Sequence, residues 1–158
     1  MTTTQWDKGR IVGMGWSETE QLVVVLDDGT VRIYNIHGDS TQFSLGKDAK
    51  DHGVEDCRFY GNGLVALTGN FTLIAVTNFD EPRPRGLTNM NLNEPPHSWI
   101  VIEPQHTLSR TVEVLVATRE SILLVDGSMT QDMVPLVVSC LCDLMDVLCS
   151  NTQTRKGR

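Results

Sequence analysis

One spacing limits the folds open to this chain more than any other feature. Three similar apolar segments, residues 11–17 (IVGMGWS), 54–60 (VEDCRFY) and 97–103 (HSWIVIE), recur at an even period of 43. A fixed period of that length marks a repeat whose single unit cannot bury its own apolar face. Each first segment is followed by a second apolar run, at 21–26 (QLVVVL), 64–68 (LVALT) and 112–118 (VEVLVAT). Each second run is followed by a third, at 30–36 (TVRIYNI), 72–78 (TLIAVTN) and 121–126 (SILLVD).

These runs are short, rich in Val, Ile, Leu, Tyr and Thr, and bounded by turn formers, so they predict strands. Asp27-Asp28-Gly29 reads as a tight hairpin turn, with glycine taking the positive φ it needs. Gly61-Asn62-Gly63 and Gly69-Asn70 do the same in the second unit, whereas Arg119-Glu120 is a poorer turn. Val31, Ile33 and Asn35 alternate with Arg32, Tyr34 and Ile36, which gives that strand one apolar and one mixed face. Val23-Val24-Val25 is apolar on both faces, as in an inner strand covered on each side.

A period of about 40–45 residues holding several antiparallel strands is the pattern of a propeller blade. The reading is all-β: an incomplete β-propeller of about three WD-repeat-like blades over residues 1–128. A β-sandwich also sets short strands between frequent turns, so that architecture stays open on pattern alone. Residues 79–96 hold Pro82, Pro84, Pro95 and Pro96 with Arg83 and Arg85 among them, and read as a surface loop between blades. Residues 37–53 read as a short outer strand near 41–45 followed by a polar loop.

From 129 to 158 the strand–turn rhythm stops. Residues 134–150 (VPLVVSCLCDLMDVLCS) carry Val137, Leu141, Leu144 and Leu148 at helical spacing, with Pro135 suited to a first turn. This tail is expected to be helical and then disordered over 151–158. It contains Asp143 and Asp146 and is short for a membrane span, so no span is expected.

Composition narrows the function. Twenty acidic against 13 basic residues give a net charge of −7, which repels nucleic-acid backbones and anionic lipid. The four cysteines do not spread as a disulfide framework, and the first residues lack a basic region leading into an apolar core. A reduced, cytoplasmic setting follows, where the sequon Asn70-Phe71-Thr72 has no use.

Candidate motifs are weak. Gly13-Met14-Gly15 lacks the third glycine and the following helix of a dinucleotide fingerprint. His37-Gly38-Asp39 sits in a turn with no nucleophile motif near it. Cys140, Cys142 and Cys149 are the best metal candidates, but CxC with one more cysteine is not a zinc spacing, and small buried residues on a helix is the simpler reading. Trp16 and Trp99 fall in first strands of two repeats and are expected to pack between blades. No catalytic, cofactor-binding or metal-ligating residue is therefore expected, and the chain does not read as an enzyme.

Gly15-Trp16-Ser17 after an apolar strand, Leu22 to Val25, Asp28-Gly29, Tyr34, and His37-Gly38-Asp39 running to Phe43-Ser44-Leu45-Gly46 form an ordered series. Gln5-Trp6-Asp7-Lys8-Gly9-Arg10, Leu67-Thr68-Gly69, Trp99 and Leu123-Leu124-Val125-Asp126 extend it. The series resembles the family defined by the N-terminal region of vacuolar protein sorting-associated protein 16, over roughly residues 5–128. The resemblance implies a propeller in a subunit of the HOPS and CORVET tethering complexes, acting in fusion at endosomes and the vacuole. It implies other tethering subunits as partners, a place in the cytoplasm peripheral to those membranes, and a chain that is a fragment of a longer propeller. The family's helical half, which binds the SM-family subunit, is absent from the sequence. The rival expectation is a stand-alone small β-domain that binds peptides by adding a strand at an open edge.

Overall fold

The computed structural model describes residues 5–133. The first repeat folds as β1 (Ile11–Trp16), β2 (Leu22–Leu26), β3 (Thr30–Tyr34) and β4 (Ser40–Ser44), then a short helix α1 (Lys47–His52). The second gives β5 (Val54–Tyr60), β6 (Gly63–Thr68), β7 (Leu73–Val76) and β8 (Arg85–Gly86). The third gives β9 (Ser98–Ile102), β10 (Glu113–Ala117), β11 (Ile122–Val125) and β12 (Thr130–Asp132). Each set of four is an antiparallel meander, with strands hydrogen-bonded in chain order.

The period seen in the sequence is a period of geometry. Both β1 and β5 carry a register shift near their starts, between Ile11 and Gly13 and between Val54 and Asp56, at the same place in the repeat. A bulge at that point bends the strand and raises its twist.

Pleating explains how the sheets stack. Val23, Val25, Val31 and Ile33 of the first sheet pack against Leu64, Ala66, Ile74 and Val76 of the second. The alternate side chains of the second sheet, Val65, Leu67, Leu73 and Ala75, point the other way, against Trp99, Val114, Val116 and Val125 of the third. The middle sheet is therefore covered on both faces, and every residue of β6 is buried. Each of the Val, Leu and Ile side chains among them contributes about 1.5–3 kcal/mol on burial. Three layers in chain order replace the two facing layers of a sandwich, and no sheet closes on itself.

Several loops differ from the sequence expectation. Residues 79–96 are more than a surface loop: Arg85 and Gly86 pair with Ala75 and Ile74 as β8, and Phe79, Leu87 and Met90 are buried. Pro84 precedes the pairing residues, so it removes no donor that β8 needs. The polar loop after β4 contains α1, whose Ala49 is fully buried. A Cβ on Gly29 would lie 2.6 Å from that of Ala49, so the hairpin glycine, at φ +81°, is required by packing as well as by the turn.

The poor turn at Arg119-Glu120 is held from outside: Thr118 Oγ1 accepts from Ser121 N at 2.9 Å. The third sheet runs on to β12, past residue 128 where the sequence ends the repeat region. The expected helix at 134–150 and the polar end at 151–158 lie outside the described residues.

Candidate functional site

Stacking leaves two outer sheet faces without a facing sheet among the described residues, although Val24 and Leu26 on the outer side of the first are buried. On the first sheet, Trp16 stands opposite Leu22, which stands opposite Tyr34, and Met14 opposite Val24. Trp16 is 68% exposed and Met14 61%. Packing of Trp16 between sheets, expected from its place in a first strand, is thus not found. Gly13 and Gly15 take the inward positions of β1, and pleating sends Met14 and Trp16 the opposite way. On the third sheet, Ile100, Leu115 and Leu124 form a row across three strands, and Ile100 is 57% exposed.

The inner seams are polar at one point. Trp99, 4% exposed, donates from Nε1 to Asp56 Oδ2 at 3.1 Å, and the Arg58 guanidinium lies 4.9 Å from the indole centroid. Arg58 Nη1 donates to Asp56 Oδ1 at 2.7 Å.

The weighed motifs resolve into structural roles. Gly13 and Gly15 allow β1 to approach β5, since a Cβ on Gly15 would sit 2.6 Å from Phe59 Cγ and one on Gly13 would overlap Cys57 Sγ. No helix follows them. His37-Gly38-Asp39 is a turn organised by Asn35, whose Oδ1 accepts from His37 N at 2.9 Å and Asp39 N at 3.0 Å.

Cys57 is buried, and burial first, then the Asp56 carboxylate, pushes its thiol up to about 11 against the opposing Arg58. A thiol so protonated at neutral pH is a poor nucleophile and metal ligand. No three His, Cys, Asp or Glu side chains gather as a metal site among the described residues. None of the described helices is long and apolar enough to cross a membrane. Cys140, Cys142 and Cys149 lie outside the described residues.

A feature that sequence reading missed is a crevice of about 980 Å³ between the second and third sheets. β7 and β8 form one wall, and the β9–β10 and β11–β12 loops form the other. Arg83, Arg85 and Arg110 line it in a chain whose charge is acidic. Arg83 and Arg85 stand out in the proline-rich segment, but Arg110 joins them only through the stacking of sheets.

The model of the family described as "Vps16, N-terminal region" matches residues 1–154, which takes in the tail that the strand rhythm sets apart. A probable vacuolar protein sorting-associated protein 16 homolog of Schizosaccharomyces pombe is 36% identical over 135 residues, 83% of this chain and 16% of the relative. Protein VACUOLELESS1 of Arabidopsis thaliana is 35% identical over 141 residues, again 83% and 16%. The vacuolar protein sorting-associated protein 16 homolog of Dictyostelium discoideum is 33% identical over 129 residues, 77% and 16%. The chain thus spans about a sixth of the length of these relatives, and it belongs to the Vps16 N-terminal region family.

Proposed function

We propose that this chain is a non-catalytic section of a β-propeller in a vacuolar protein sorting subunit, with other tethering subunits as its partners. The supporting observation is the stack itself. Three meanders of one period pack face to face, and the two terminal faces remain apolar at Trp16, Met14 and Ile100. A propeller covers such faces by closing a ring of about four to eight blades. The repeat region, 1–128 by sequence, is that section, extended by β12 (Thr130–Asp132) in the third sheet, and the residues after it form a distinct tail. The proposed setting is vesicle tethering and fusion at endosomes and the vacuole, peripheral to the membrane, within HOPS or CORVET; membership of a vacuolar protein sorting family supports it. The outward rims of the sheets, rather than a reactive pocket, carry the work.

Affinity purification of the tagged full chain from cells tests this. Co-purification of other tethering subunits is the expected result, and reversing Trp16 and Ile100 to glutamate should lower it. Recovery of no tethering subunit refutes the proposal.

A further inference from the structure

We propose that the crevice between the second and third sheets binds an extended acidic peptide carrying an apolar side chain. Arg83, Arg85 and Arg110 converge on it from two sheets, on a chain with seven more acidic than basic residues. Arg85 has no ion-pair or hydrogen-bond partner for its side chain among the described residues. Arg83 pairs with Glu81 on the exposed loop, and Arg110 Nη1 reaches only the Gln105 carbonyl at 3.4 Å. Guanidinium groups recognise carboxylates through paired hydrogen bonds, so this trio matches an acidic segment.

The one carboxylate on the wall, Asp126, is engaged elsewhere. Its Oδ1 accepts from Ser128 N at 2.6 Å, Ser128 Oγ at 2.8 Å and Met129 N at 2.7 Å, and holds the β11–β12 turn. Leu87 and Val112, both nearly buried, give the crevice an apolar floor that suits a leucine-sized side chain. A peptide fits better than a membrane surface, because the crevice is recessed and its floor at Leu87 and Val112 is nearly buried.

Backbone geometry adds an observation. Arg110 sits at φ +57°, a left-handed conformation that is costly for a side chain of its size. Glu20 at φ +58° and Phe71 at φ +62° hold the same place in the matching turns, so the conformation belongs to the turn and glycine should be accepted at Arg110 without loss of the fold.

The test uses the full 158-residue chain. A fluorescein-labelled peptide with glutamates on both sides of one leucine is titrated by anisotropy, beside its glutamine counterpart. The acidic peptide should bind saturably and the glutamine peptide should not. Arg85→Glu should weaken binding about tenfold. Arg110→Gly should weaken it too, with no fall in melting temperature, which separates loss of the site from loss of the fold. Arg119→Glu, whose partner is Glu94 outside the crevice, should bind as the wild type does.

Unchanged binding in Arg85→Glu and Arg110→Gly would overturn the proposal, and so would absence of binding. Preference for phosphatidylserine vesicles over the peptide would overturn it in favour of a lipid surface. None of these outcomes bears on family membership or on co-purification with tethering subunits.

Discussion

Trp99 Nε1 donates to Asp56 Oδ2 at 3.1 Å, and the two residues hold the same place in successive repeats, 43 apart. The bond crosses from β9 to β5 at the inner edge of the second seam. Arg58 closes the arrangement, bonded to the other carboxylate oxygen and lying over the indole face. A carboxylate half-exposed in an apolar seam is thus satisfied on both oxygens.

Trp99→Phe keeps most of the apolar contact and removes only the donor and part of the cation–π contact. It should cost about 1 kcal/mol, and Trp99→Ala about 3–5 kcal/mol. Urea denaturation measures both. A Trp99→Phe variant as stable as the wild type would show that the indole acts by bulk alone, without the bond to Asp56.

Gly15 tests the first seam. With a Cβ set to meet Phe59 Cγ at 2.6 Å, Gly15→Ala should destabilise by about 1–3 kcal/mol. Phe59→Leu in the same chain should recover part of the loss by yielding space. Gly38→Ala provides the contrast. It has open space around it at φ +89°, so its cost is one of backbone strain and should not respond to Phe59→Leu.

Among the described residues the buried polar side chains are Ser17, Thr68 and Thr107, and each ties a turn between strands. Ser17 Oγ accepts from Gln21 N at 3.1 Å, and Thr107 Oγ1 donates to Thr111 O at 2.8 Å. Thr68 does both, accepting from Thr72 N and donating to Thr72 O, each at 3.0 Å. Thr68→Val keeps the shape and strands Thr72 N, while Thr72 O keeps its bond from Thr68 N, at a cost of about 1–3 kcal/mol. Thr68→Ser keeps the oxygen and should cost less. Thermal melts of the two variants in parallel decide it; a valine variant as stable as the serine one would contradict the tie.

Local signals in the sequence carried far. Val31 and Ile33 alternate with polar neighbours and are buried as alternation demands, and Val23 to Val25 are buried on both faces. Asp28 and Gly29 make their hairpin, Asp28 Oδ1 taking Thr30 N at 2.8 Å. What stayed hidden depended on tertiary partners. Arg85 and Gly86 have no strand propensity of their own, and pair because β7 offers an edge. Trp16 and Trp99 both fall in first strands, at the sixth and third places of the repeat, and only Trp99 has a sheet facing it. The three arginines of the crevice meet through that same stacking, which no local pattern encodes.

Cys57 makes stability depend on alkaline pH. Its thiol is raised from 9.0 to about 11 in the folded chain, so the folded state holds this proton more tightly than the unfolded state does. Stability on this account is full below pH 9 and is lost as pH rises from there to about 11, by about 3 kcal/mol at most. Tyr60, raised from 10.0 to about 12 by burial and by Glu103, adds a loss at still higher pH. Cys57→Ala should flatten the first part of this decline. Urea midpoints taken from pH 8 upward test it, and an unchanged slope in the variant would refute the assignment.

The outward faces set the chain's behaviour in solution. Trp16, Met14 and Ile100 lie on opposite ends of the stack, so each end offers apolar area to another molecule. Sheets that close a ring lose these faces to neighbours, whereas an isolated array leaves them to associate. The purified chain should therefore sediment above monomer mass, increasingly so with concentration. Trp16→Glu combined with Ile100→Glu should return it towards the monomer without altering its circular dichroism, because both side chains point away from the two buried seams. A wild-type chain that sediments as a monomer at every concentration would mean that these faces are not sticky. The requirement for neighbouring sheets would then fall with it.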